Sequence, residues 1–157
     1  TPYTDGRARG VIWGLSLHTT RAHIFRAMME GIAYGTRHIL EVFMNLGCEA
    51  KEVYVCGGGV TSEVFMGILA VVCGIPLIVT KVPDAPLLGD AILAATGLGI
   101  YADLREAAQA MVRPVRTFAP GNHAAYEPYF DLYKQTYPRL RELMARMATQ
   151  QEHNSSS

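Results

Sequence analysis

The chain has 157 residues, half of them hydrophobic, and its 14 basic and 14 acidic residues leave no net charge with histidine neutral. That length and composition predict a folded domain with a core of ordinary size, and without a run of Lys and Arg the chain lacks the electrostatic footprint of a nucleic-acid binder. Apolar runs such as residues 64–78 are broken by Gly67, Gly74 and Pro76 and fall short of a membrane span; no signal core opens the chain, and Cys48, Cys56 and Cys73 form no C-x-x-C pair or disulfide framework, which fits a reducing cytoplasm.

In chain order, the first apolar segment is GVIWGLSL, residues 10–17, whose β-branched and aromatic content predicts a strand with Trp13 in the core. Thr20 is placed to cap a long helix. Phe25, Met28, Met29, Ile32, Thr36, Ile39, Leu40 and Phe43 recur at helical spacings of three and four up to a stop at Gly47, and Gly31 and Gly35 mark points of close packing. EVYVC then predicts a short buried strand. A helix over residues 60–72 follows, capped by Thr61 or Ser62 and closed by Gly74, and PLIVT forms the next strand. Strand, helix and strand make a β-α-β unit with its two strands parallel. Asp84 caps a further helix with Pro86 in its first turn, where a missing N–H is tolerated, and Asp103 with Glu106 resembles a capping box for another. RPVRTFAPGNHA is expected to be a connector. The last helix runs from Tyr126 to about Met147, with Pro138 bending or interrupting it, and a disordered tail is expected over residues 151–157.

Three consecutive glycines, Gly57, Gly58 and Gly59, stand between the strand EVYVC and the helix capped near Ser62. At the carboxyl end of a buried strand, residues without side chains let backbone N–H groups approach a ligand, and the following helix N-terminus favours phosphate. The alternative is a tight βα turn with no ligand at all. Neither the G-x-G-x-x-G spacing nor G-x-x-x-x-G-K-[ST] is present, so the loop matches neither phosphate motif by itself.

RGVIWGLSLHTTRAHIFRAMMEGIAYG, CGGGVTSEVFMGILAVVCGIPLIV and DAPLLGDAILAATGLGIY together resemble, in order and spacing, the C-terminal lobe of the FGGY carbohydrate kinases, the family of xylulokinase, ribulokinase and glycerol kinase. The resemblance implies an α/β fold: a partial actin-like, ribonuclease-H-like ATPase lobe, truncated at its N-terminal side and occupying residues 1–150. It also implies ATP or ADP with Mg as cofactor, a sugar or polyol as phosphoryl acceptor, and Gly57, Gly58, Gly59 and Ser62 against the nucleotide. The family's catalytic Asp and its sugar contacts lie upstream of the matched stretch, so no catalytic residue and no metal ligand is assigned in this chain, which is expected to be inactive alone. Gly89-Asp90-Ala91 imitates the catalytic motif in letters but falls in a helix, where Asp90 reads as a surface residue. A lobe of this kind with only three of its strands would leave its first strand without neighbours, so an exposed apolar surface and self-association are expected.

Other residues carry structural readings. His18 and His23 flank a helix start off the i, i+4 metal spacing and read as capping or surface groups. Cys56 reads as a small buried hydrophobe, Arg21 and Glu30 as surface or ion-pair residues, and the C-terminal tyrosines as a packing stripe. Two other functions fit the same residues: a different actin-like ATPase without a sugar, and a non-catalytic α/β interaction module.

Overall fold

The computed structural model describes residues 3–155, which form two compact units, Thr1–Cys48 with His123–Ser157, and Glu49–Asn122. The elements in chain order are α1 (Arg21–Asn45), β1 (Val53–Val55), α2 (Glu63–Cys73), β2 (Leu77–Thr80), α3 (Ala85–Gly97), α4 (Leu104–Met111), β3 (Pro114–Phe118) and α5 (Glu127–Ser155), with 3-10 turns at Gly58–Thr61 and His123–Tyr126. Among the described residues no helix is long and apolar enough to cross a membrane.

The unit built from both chain ends is helical. Thr20 caps α1 as its sequence position demands: its hydroxyl accepts from the His23 backbone N–H, and His23 Nδ1 accepts from the Thr20 N–H. His23 is thereby a capping residue, one of the two roles its position suggests. The buried face of α1 carries Ala33, Tyr34 and Arg37, and α5 contributes Phe130, Met144 and Ala148 to the same core. The C-terminal tyrosines are indeed a packing stripe. The Tyr34 ring lies 5.5 to 6.2 Å from those of Tyr133, Phe130 and Tyr126, within the range where aromatic pairs attract. Arg37 is the one buried charged residue among those described. Its Nη2 donates to both Glu127 carboxylate oxygens, at 2.7 and 2.9 Å, and its guanidinium sits 3.9 Å above Phe130.

Three expectations fail in this unit. Residues 10–17 form no strand: they pair with nothing in the sheet, Gly14 turns the chain at φ +87°, and Trp13 is 61% exposed rather than in the core. An extended segment is held only by partners for its backbone, and no described strand supplies them. The face of α1 read as apolar core is also mostly open, with Phe25, Met28, Ile32 and Phe43 all more than half exposed. The cause is that α5 occupies the neighbouring face instead. Finally, α5 continues through Pro138 and on to Ser155, so residues 151–155 extend the helix where a disordered tail is expected; residues 156–157 lie outside the described chain. Pro138 forfeits one backbone bond, and the turns on either side carry the helix past it.

The unit Glu49–Asn122 holds a three-stranded sheet in the order β1-β2-β3. The β-α-β unit is present as its pattern indicates: β1 and β2 are parallel, with Val53 opposite Leu77 and Val55 opposite Val79, and α2 connects them. Ser62 caps α2 through a bond from the Phe65 N–H, and Gly74 ends it in the left-handed region at φ 69°. Asp84 caps α3 in the same way through Leu87, and Asp103 caps α4 through Glu106. The core gathers Met66, Ile68, Leu69, Ala70 and Val72 of α2 with Ile75, Leu77 and Ile78. The expected connector contains β3, antiparallel to β2, with Phe118 opposite Leu77. Its pattern, PVRTF, is short and polar on one side, and Pro114 stands at its first position, where an edge strand tolerates the lost donor.

Candidate functional site

The glycine loop leaves β1 at its carboxyl end and enters α2 through the 3-10 turn. Three bonds fix its course: the Gly57 N–H donates to the Pro83 carbonyl at 3.1 Å, the Val60 N–H to Gly57 at 3.3 Å, and the Ser62 N–H to Gly59 at 3.2 Å. Each glycine stands in a different local setting. Gly57 adopts φ 88° and ψ −175°, a backbone state essentially closed to residues with a side chain. A Cβ on Gly59 would meet the Phe65 ring at 3.3 Å. At Gly58 a Cβ would meet nothing within 4 Å, and the backbone there has no positive φ. Chain geometry therefore accounts for Gly57 and in part for Gly59, and leaves the glycine at position 58 without an internal reason.

The four residues singled out in the sequence lie close together along the loop and its helix cap. Gly57, Gly58, Gly59 and Ser62 are all exposed on the loop. The Ser62 hydroxyl uses a lone pair on the Phe65 N–H and keeps its proton to donate outward. The first turn of α2 has N–H groups with no partner inside the helix, which is the general basis of anion binding at such ends. Glu63 adds a carboxylate in that same turn, and the Arg116 guanidinium bonded to it holds its pKa below the usual carboxylate value. The pair thus offsets a negative charge that would otherwise oppose a phosphate.

Beside the loop runs an open groove of about 650 Å³, walled by Tyr54 and Cys56 of the β1 segment, Thr80 of β2, Leu88 and Ile92 of α3, and Gln109 of α4. Its volume suits a ligand the size of a nucleoside. The glycine pattern alone does not reveal this wall; Tyr54 on β1 and Cys56 just past its end, two residues apart in extended chain, are the available signal. Cys56 is exposed, not buried as expected, because its side of the sheet faces the groove. Asp90 is exposed on α3, in keeping with a surface role. Among the described residues no three His, Cys, Asp or Glu side chains converge as a metal site.

Residues 1–98 match the pattern of the FGGY family of carbohydrate kinases, C-terminal domain. The chain is 30% identical over 151 residues to a xylulose kinase of Staphylococcus epidermidis, covering 95% of this chain and 30% of that protein. It is 34% identical over 149 residues to a ribulokinase of Mycolicibacterium smegmatis, covering 88% of this chain and 26% of the relative. Among solved structures, the xylulose kinase from Rhodospirillum rubrum superposes with a TM-score of 0.77 at 29% identity, over 87% of this chain and 28% of that one. The fold is accordingly a partial actin-like α/β lobe. The chain spans about 30% of the length of the curated relatives it matches.

Proposed function

The chain belongs to the FGGY family of carbohydrate kinases, and on that premise we propose that it is the nucleotide-binding part of a cytoplasmic enzyme that transfers the γ-phosphoryl group of ATP to a sugar or polyol hydroxyl. The observation that carries the reading is Gly58, a glycine that neither backbone conformation nor internal packing requires, in a loop that opens toward solvent at a strand's carboxyl end. A ligand lying against the backbone is a physical reason to have no side chain there. Gly57 sets the turn, Gly58 and Gly59 form the contact surface, Ser62 donates from the helix cap, and the adjoining groove takes the nucleoside.

Phosphoryl transfer proceeds mainly by positioning and charge stabilisation, so a rigid cradle is a sufficient contribution from this part. The group that activates the acceptor hydroxyl, the sugar contacts and the ligands of the nucleotide's Mg are assigned to the remaining length found in the relatives. Without them the chain binds nucleotide and does not turn it over. Calorimetric titration with ADP and Mg tests the first half, and sugar-dependent ATP consumption by a whole polypeptide of the relatives' length tests the second. ATP turnover without any sugar or polyol would instead indicate an actin-like ATPase of another kind. Absence of nucleotide binding would leave the interaction module.

A further inference from the structure

The carboxyl end of the sheet gathers more than the glycine loop. The Gly57 N–H bonds the Pro83 carbonyl at 3.1 Å and the Lys81 N–H bonds the Arg113 carbonyl at 2.9 Å, so the segment after β2 ties the loop to the start of β3. Val115 is an extra residue in β3, since Val79 pairs with Arg116 and Thr80 with Pro114, and such a bulge interrupts regular pairing at this end. Thr80 and Val112 both line the groove beside the loop. Lys81 and Arg113 follow them directly in the chain and stand exposed at the groove's edge. Among the described residues neither side chain has a hydrogen-bond or ion-pair partner. The neighbouring carboxylates are engaged: Glu63 accepts from Arg116, whose guanidinium also lies 4.8 Å over the Phe118 ring, and Asp84 accepts from the Leu87 N–H. Lys81 and Arg113 are left as uncompensated positive charge.

We propose that Lys81 and Arg113 are the charged phosphate-binding residues of this site and take the diphosphate of a nucleotide whose nucleoside lies in the groove. The proposal rests on the nucleotide reading of the loop and supplies the charge which that reading lacks. The loop offers backbone N–H groups and the Ser62 hydroxyl, all neutral donors, whereas a phosphate chain brings several negative charges. Hydrogen bonds from ionised donors are shorter and roughly twice as strong. The two side chains serve in different ways: the Lys ammonium is a point charge on a flexible four-carbon stem, and the Arg guanidinium is a planar fork that matches phosphate oxygens in pairs. Neither has an ion pair to break before it meets a ligand. Arg116, by contrast, is committed to Glu63 and keeps that carboxylate from opposing the phosphate. Arg113 also lies beyond residue 98, where the family match ends, in the segment RPVRTFAPGNHA whose sequence reads as a connector. Half of the charge thus comes from a part of the chain that the family pattern does not describe.

The test is calorimetric titration of ADP and of adenosine into this chain and into the double variant Lys81→Gln with Arg113→Gln. Both positions are exposed, so the thermal melt without ligand should not move. ADP binding should weaken about tenfold, the loss that fits two partly solvated charge contacts, while adenosine binding stays the same. Added salt should weaken ADP binding more in the parent than in the double variant. Lys81→Arg with Arg113→Lys keeps both charges and should keep most of the ADP affinity. Lys51→Gln, which removes a charge just before β1 and so at the other end of that strand from the loop, should change neither titration. ADP bound equally by the parent and the double variant would overturn the proposal and leave the nucleotide reading standing. Equal losses of ADP and adenosine would overturn it too, because they would mark the two residues as structural, and so would a parent that binds adenosine as tightly as ADP. A parent that binds neither ligand would refute the nucleotide reading and the proposal with it.

Discussion

Replacing Gly58 by Ala separates a ligand cradle from a simple turn, because the two readings predict opposite results at one position. The added methyl meets nothing within 4 Å and the backbone is not in the left-handed half of conformational space. The folded state should therefore be unaffected, or stabilised by roughly 0.4–1 kcal/mol through a more restricted unfolded chain. Gly57→Ala is the control: at φ 88° and ψ −175° a side chain is strained by about 1–3 kcal/mol. In a thermal melt, ADP at about 100 times its dissociation constant adds roughly 2.7 kcal/mol to the parent chain, equivalent to about 5–10 °C at this chain length. If the Gly58 methyl stands where the nucleotide lies and weakens it about thirtyfold, only about 0.9 kcal/mol remains at the same ADP concentration. The expected pattern is an unaltered melt without ADP and a shift reduced by about two thirds with it. A Gly58→Ala chain that keeps the full ADP shift would refute the cradle, and one that melts early without ADP would refute the geometry from which the argument starts.

Ser62→Asp keeps a capping oxygen for the Phe65 N–H and should melt within about 0.5 kcal/mol of the parent, yet its negative charge at the loop should suppress ADP binding in titration calorimetry. Glu127→Ala removes the carboxylate that accepts from Arg37 Nη2 through both its oxygens, the Arg37 side chain being only 9% exposed, and should destabilise the helical unit by about 2–4 kcal/mol in urea unfolding, against the roughly 3–5 kcal/mol typical of a broken buried pair, since Glu127 is itself 46% exposed. Loss of less than about 1 kcal/mol would place that bond with ordinary surface pairs. His38 has its pKa lowered chiefly by burial, and its Nδ1 is buried without a partner. The unfolded chain then binds the proton more tightly than the folded one, so the contribution of neutral His38 is full above about pH 6.5 and is lost as pH falls below it. His38→Phe should flatten the stability profile between pH 7 and 5, as followed by urea midpoints.

What the sequence determines here is local. Thr20, Ser62, Asp84 and Asp103 each cap the helix they precede, because a short polar side chain reaches the N–H three residues on whatever the rest of the chain does. Gly74 ends α2 and the runs on either side pair in parallel, since a strand, a helix and a strand of these lengths have few ways to close. The glycine loop is legible for the same reason: its position between strand and helix is a matter of adjacency. Only the tertiary structure decides which apolar face is used. Periodicity marks Phe25, Met28 and Ile32 as a face of α1 but carries no information on whether a partner is present, and α5 chose the face of Ala33, Tyr34 and Arg37 instead. Residues 10–17 have the composition of a strand and lack the second backbone that makes one, while PVRTF, weaker in pattern, is a strand because β2 offers it an edge. A helix closes its own hydrogen bonds and can be read from one segment, whereas a strand is a property of two.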